Sequence, residues 1–298
     1  MNERKQGITA GVLSNIIWGV LPLYWHTLRP IDSVVIIFYR VFLCAVFSYV
    51  LARRTYSQED LFAPLKDRAL LLKFFAAGAL ITVNWSLYIW AVNANHVIET
   101  SIGYYIEPIV VCLFGVAFFG DKLDRYKRIA FALAAAGIAV IVVYYRRLPA
   151  ISLLLALSFS VYGAAKKGMS KPPILSLFYE TIFLAPFALG AILYFELGGR
   201  GALAASAGSP WKFALLLLAG ALTAAPLMLF GESANKAGLF ATGLVGYISP
   251  SISLVLSIFV FHEPFEFAQF IAFAIIWVGL GFFTYGEFRS ARQGGSAS

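Results

Sequence analysis

Charge, cysteine and histidine are all scarce in this 298-residue chain. Only 13% of its residues are charged and 60% are hydrophobic, whereas soluble domains carry about 25% charged residues. With a mean hydropathy of +0.81, this balance excludes a soluble domain built on a large core and indicates an integral membrane protein. The two cysteines, Cys44 and Cys112, sit inside apolar runs, which argues against both a disulfide framework and a thiolate metal site. The three histidines (His26, His96 and His262) lack ligand spacing, so no metal is expected. No Gly-x4-Gly-Lys-Ser/Thr loop is present, so ATP is not the direct driver. No zinc-hydrolase motif or nucleophile elbow appears either, and the chain is read as a non-enzyme without a cofactor.

What the chain does have is an internal echo. Sliding it by 142 positions lays Tyr105-Ile106-x-Pro108 on Tyr247-Ile248-x-Pro250 without a gap. The same slide matches Asn93 with Asn235, Thr100 with Thr242, Asp121 with Glu263 and Gly137 with Gly279. Ile129-Ala130-Phe131-Ala132 likewise falls on Ile271-Ala272-Phe273-Ala274. So many ungapped matches between separate apolar segments point to a duplication.

A helix needs about 20 apolar residues to cross the hydrocarbon core. Ten such stretches can be placed, at 7–28, 31–52, 69–92, 97–119, 127–145, 149–166, 173–196, 211–232, 238–261 and 266–286. The first is not a cleavable signal peptide: it contains Trp18 and Tyr24, has no small-residue cleavage site and precedes further spans. Residues 53–68 and 197–210 form the long loops. The predicted units are a first repeat over 1–147, a second over 148–288 and a disordered cytoplasmic tail over 289–298. Orientation follows from lysine and arginine in the loops. With the N-terminus inside, seventeen of the 23 basic residues face the cytoplasm and five face out, with Arg40 left within a span. Both termini are therefore expected in the cytoplasm. The net charge of +8 reads as a topology signal rather than a nucleic-acid footprint.

Five spans per copy is an odd number, so the second copy enters the membrane from the opposite side. The Asp121 loop is rich in basic residues and its echo at Glu263 has none. Similar sequence with opposite loop charge indicates inverted repeats, the basis of alternating access in many carriers. The expected fold is an all-α integral membrane protein of ten transmembrane helices in two inverted-topology five-helix repeats.

Polar residues within the spans supply the candidate site. Arg40 lies midway along the second span, and a shift of 140 places Glu180 opposite it in the repeat. A charge at that depth is costly and needs a partner, so the two are expected to meet between the halves. Two readings stay open: a fixed ion pair, or a solute or proton site. Glu107 shares a helix face with Gly103 and Tyr104, and Pro108 is expected to loosen the helix beside it, as Pro250 does beside Ser249 in the other copy. Paired breaks in corresponding spans point to a transporter's binding site, although a packing kink is the plain alternative. Asn84 and Tyr88 lie one turn apart with Trp85 beside them, a wall suited to a small solute with a planar part.

The chain resembles the RarD-type, or chloramphenicol-sensitivity, permeases, an EamA-repeat family of the drug/metabolite transporter superfamily. The resemblance rests on Ile17-Trp18-Gly19, Asn84-Trp85, Ile89-Trp90-Ala91-Val92-Asn93, Ile102-Gly103-Tyr104 and Pro108 in the first half. In the second half it rests on Ser158-Phe159, Tyr162-Gly163, Lys166-Lys167, Glu180-Thr181, Tyr247-Ile248, Pro250 and Ile276-Trp277-Val278. It implies a ten-helix inner-membrane carrier whose cavity is lined by the first four helices of each half, with the fifth outside. Where that family usually has asparagine before the fourth-span proline, this chain has Glu107, so no substrate is carried over.

The expected function is secondary active export of a small metabolite or drug-like solute by alternating access. Alternatives are an uncoupled facilitator or uptake permease, or a membrane enzyme or lipid-handling protein. The candidate substrate-binding residues are Trp18, Tyr39, Arg40, Asn84, Trp85, Tyr88, Tyr104, Glu107, Tyr179, Glu180 and Tyr247. Glu107 and Glu180 are the proton-coupling candidates. The implied partners are a small-molecule solute and the lipid bilayer of the bacterial plasma membrane, with a homodimer left open and no nucleic acid.

Overall fold

The computed structural model describes residues 3–119, 125–146, 148–167, 169, 171–237 and 245–294, and among these it is helical throughout, with no strand. In chain order the helices are α1 (Glu3–Thr27), α2 (Ser33–Thr55), α3 (Gln58–Phe62), α4 (Arg68–Asn93), α5 (Val97–Phe119), α6 (Arg125–Tyr145) and α7 (Ala150–Lys167). They continue as α8 (Pro173–Ile182), α9 (Ala185–Leu197), α10 (Ala202–Ala205), α11 (Pro210–Leu216), α12 (Ala219–Ala237), α13 (Ile248–Phe259) and α14 (Phe267–Gly294).

Helices dominate because a bilayer offers the backbone no hydrogen-bond partner, so each segment must satisfy its own N–H and C=O groups. Their starts are written in short polar residues. Asp32 accepts from the Val34 N–H at 2.8 Å, Ser57 from Asp60 at 3.1 Å and Asp67 from Leu70 at 3.0 Å, each satisfying a donor the helix leaves free. The outer surface is apolar, as lipid contact requires: Leu72, Val143 and Phe187 are among the most exposed side chains.

Among the described residues, six helices or helix runs are long and apolar enough to cross a membrane, and the α8–α9 pair makes a seventh if its two parts are one span. The other three expected spans coincide with α5, α7 and α13. Two of these, α7 and α13, contain shorter apolar helices, Ala150–Tyr162 and Ile248–Phe259. The chain is thus a multi-pass membrane protein. The single expected span 173–196 differs in form: it bends by 50° between α8 and α9, just past Glu180 and before Pro186, whose ring cannot continue the α8 hydrogen-bond ladder. The last helix also runs on to Gly294, so residues 289–294, expected to be disordered, extend α14. Part of the expected ninth span, 238–244, lies outside the described residues, as do Asp121 and residues 295–298.

The helix pairings come in matched sets. α1 packs on α12 and α13, while α7 packs on α4 and α5; α2 meets α12, while α8 meets α4. The fifth and tenth expected spans, α6 and α14, pack on each other through small residues. A Cβ at Gly137 would stand 2.8 Å from Ile276 Cγ1, and one at Gly279 would stand 3.1 Å from Leu133 Cβ, so both glycines permit close helix approach.

Glu263, in the turn before α14, reaches across to α5 and is buried there. Its Oε1 accepts from the Val97 N–H at 2.6 Å and its Oε2 from Ile98 at 2.8 Å, closing the N-terminus of α5 as a cap supplied from elsewhere in the chain. His96, paired with Glu99 at 3.0 Å, stands beside it. Burial pushes the Glu263 carboxyl above its ordinary value, outweighing the two backbone donors and His96, which pull it down, while Glu99 adds to the rise. The folded state therefore holds the Glu263 proton more tightly than the unfolded chain does. Its contribution to stability is fullest below the unfolded carboxylate pKa, about 4.3, and is lost as pH rises through the folded value. The thermal midpoint of the wild type in detergent should consequently fall relative to Glu263→Gln as pH rises above the unfolded carboxylate value of about 4.3; parallel curves would refute this assignment.

Candidate functional site

Four helices converge on Arg40 of α2. The side chain is 5% exposed, and its Nε donates to Thr223 Oγ1 of α12 at 3.0 Å. The Thr223 hydroxyl in turn donates to the Ala219 carbonyl at 2.8 Å, so this threonine accepts from one side and donates to the other. The guanidinium carbon lies 4.9 Å from the Trp25 ring of α1 and 4.4 Å from the Trp85 ring of α4. Two indole faces thus supply the negative potential that water otherwise provides. The Tyr24, Tyr88 and Tyr104 phenols and the Cys44 thiol are its other electrostatic neighbours.

Arg40 and Glu180 do not pair. Among the described residues no carboxylate lies within ion-pair distance of Arg40, and two of its potential partners are indoles instead. Glu180, fully buried on α8, accepts from Tyr162 Oη of α7 at 2.8 Å. The two charges share a neighbour in Cys44, so they belong to one interior region without touching. The sequence shift places them at matching heights on matching helices, which does not determine the distance between those helices.

Glu107 of α5 adds a third ionisable group. It is an electrostatic neighbour of Tyr104, one turn before it, and of Tyr247 from the second half. Tyr104 also packs edge-on against Tyr88, with ring centroids 5.7 Å apart. A polar track therefore runs from Tyr247 and Glu107 through Tyr104 and Tyr88 to Arg40, and on past Cys44 to Glu180 and Tyr162. α5 continues unbroken past position 108, so Pro108 does not end the helix; Pro250 falls in the first turn of α13, where a missing N–H costs nothing.

Four other expected residues have different employment. Asn84 donates to the Leu155 carbonyl at 3.0 Å and to Ser158 Oγ at 2.9 Å, bridging α4 to α7. Trp18 faces Phe230 of α12, with ring centroids 5.7 Å apart. Tyr39 turns away from Arg40 and donates to Glu196 Oε1 at 2.8 Å; the same carboxylate caps Ala202 and Leu203 in the loop beyond. Tyr179 donates to the Leu61 carbonyl at 2.7 Å and stacks on Phe74 at 5.2 Å. Each of these two tyrosines thus tethers a long loop.

Sequence reasoning passed over Trp25, Thr223, Tyr24 and Tyr162 as members of this region. Trp25 had one usable signal: it lies seven residues, or about two turns, after Trp18 and so shares its face. Thr223 had none, since a lone threonine in an apolar run looks like packing.

The first half, residues 5–143, matches the family model described as the EamA-like transporter family. Over nearly its full length the chain is similar to curated proteins. One is the uncharacterized transporter YojE of Bacillus subtilis (strain 168), at 38% identity over 97% of each chain. Another is protein RarD of Streptomyces exfoliatus, at 36% identity over 98% of this chain and 92% of that one. A solved crystal structure shares the fold with a TM-score of 0.62 at 15% identity, covering 94% of this chain and 97% of its own.

The backbone around Glu180 depends on α4 carrying no side chain at its closest approach, because a Cβ at Gly78 would overlap the Glu180 carbonyl. Gly78→Val should therefore destabilise the protein by about 1–3 kcal/mol or more, the usual cost of overpacking. Gly190→Ala, where nothing lies within 4 Å, should be neutral or slightly stabilising. Thermal unfolding of both variants in detergent tests the contrast, and equal midpoints would contradict it.

Proposed function

This chain belongs to the EamA-like transporter family, and from that membership we propose that it is a secondary transporter of the bacterial inner membrane. In this reading it exports a small solute by alternating access, with ten spans in two inverted halves and both termini in the cytoplasm. The observation that carries the reading is the buried polar track, because ionisable groups inside a membrane bundle mark pathways for solutes or protons. The track draws Arg40 and Glu107 from the first half and Glu180 and Tyr247 from the second, so a solute held there would touch both.

The matched helix pairings support the inverted arrangement. A pseudo-two-fold axis requires that a contact between two spans recur between their counterparts, and α1–α12 recurs as α7–α4, and α2–α12 as α8–α4. The bend after Glu180 adds a discontinuous helix at the site, a feature that carriers use to expose backbone groups to solute or ion.

Solute movement then follows from two exchanging packings, each closed on one side of the track. Protonation of Glu107 would couple that exchange to the proton gradient, since a neutral carboxyl crosses an apolar barrier far more readily than a charged one. Counterflow in proteoliposomes, over amino acids, nucleobases, small heterocycles and chloramphenicol, tests the reading. At least one class should exchange, and an imposed pH gradient should drive it uphill. Glu107→Gln should keep exchange and lose the gradient-driven accumulation. Exchange indifferent to the gradient in the wild type would leave a facilitator and remove the coupling role from Glu107.

A further inference from the structure

Arg40 is set up to receive something that the described residues do not supply. Among the described residues its Nη1 is buried with no hydrogen-bond acceptor, and so is the Nε1 of Trp25 beside it. These are two donors of the same sign of need, on adjacent side chains, around a fixed positive charge. Neither group can turn itself into an acceptor, because guanidinium and indole N–H groups only donate. A buried donor left unmade is costly, and more so when it is charged. The rest of the surround does not offset this: Thr223 accepts only the Nε proton, and the indole faces stabilise the charge without accepting an N–H in the plane of the fork.

We propose that the solute carried by this protein is a small organic anion, with its carboxylate docked on Arg40 Nη1 and the Trp25 indole N–H. The inference rests on the carrier reading above and names its substrate class. Arginine suits the task because its planar fork meets a carboxylate with directed, charge-assisted bonds. Tyr88 and Tyr104 stand beside the charge, and with the Trp85 ring they offer flat apolar faces for a planar body on the anion. Charge balance favours the same class. An anion neutralises the guanidinium and leaves the closed, loaded site without a net buried charge, whereas a cationic solute would add a second positive charge to a buried one.

The test uses the full-length protein in detergent with three probes that share a benzene ring and differ in charge: benzoate, benzamide and benzylamine. Binding is read from tryptophan emission, because Trp25 and Trp85 flank the site, and from the shift in thermal midpoint. Benzoate should quench saturably and bind about tenfold or more tightly than benzamide, the ratio expected for a hydrogen bond to a charged group, with benzylamine weakest. Arg40→Gln should abolish the preference for benzoate over benzamide, and Trp25→Phe should weaken benzoate several-fold. The wild-type ranking needs no variant, so a misfolded Arg40→Gln protein does not blunt the test. Equal binding of the three probes, preference for benzylamine, or benzoate binding that survives Arg40→Gln would overturn the proposal. Counterflow of the same probes separates the two readings. Flux of benzamide or benzylamine without benzoate binding keeps the carrier and removes the anion site; benzoate binding without flux of any probe keeps the anion site and removes the carrier.

Discussion

An arginine halfway along an apolar helix loses the hydration that stabilises its charge, at a cost of about 2.5–3.5 kcal/mol on the insertion scale for a helix-centre position. Much of the interior can be understood as the answer to that cost for Arg40. Two indole faces at 4.9 and 4.4 Å each return about 1–2 kcal/mol when shielded from water, and the Thr223 hydroxyl adds one directed bond. Those groups come from α1, α4 and α12, so the position of three helices is tied to one side chain on a fourth. The surround of Arg40 is thus held by aromatic faces and one hydroxyl contact rather than by an ion pair with a described carboxylate.

The same logic separates Arg40 from Glu180. Glu180 takes a hydrogen bond from Tyr162 on α7, while Arg40 stands among aromatic rings and Thr223. The close α4–α8 approach at Gly78 and the bend between α8 and α9 fix the backbone next to Glu180. Positions 40 and 180, aligned by the sequence echo, thus carry opposite charges in different surroundings.

Much of the architecture could be read in the residues themselves. Composition identified a membrane protein, the echo at 142 located matching segments, and apolar lengths placed spans where helices are found. Arg40, Glu107 and Tyr104 stood out because charge and phenol are conspicuous in an apolar run. Proximity was harder. The repeat aligns Arg40 with Glu180 along the chain, yet which helices touch is decided by glycines such as Gly78 and by partners such as Trp25 that sit far away in sequence. The bend after Glu180 was missed because residues 173–196 are long and apolar enough on average to read as one span, and hydropathy does not register a break in the backbone ladder. Glu263 showed the opposite failure: it read as an ordinary loop residue, while its carboxylate closes the start of α5.

Tyr39 and Tyr179, at matching positions in the two halves, each bind a long loop: one through Glu196, which also caps Ala202 and Leu203, the other through the Leu61 carbonyl. Each loop is therefore tied by a side-chain hydrogen bond to a span distant in sequence. A spectroscopic label on each, at exposed positions such as Glu59 and Leu203, would act as an outside pointer whose reading follows the tilt of α2 or α8, with the polar interior left untouched.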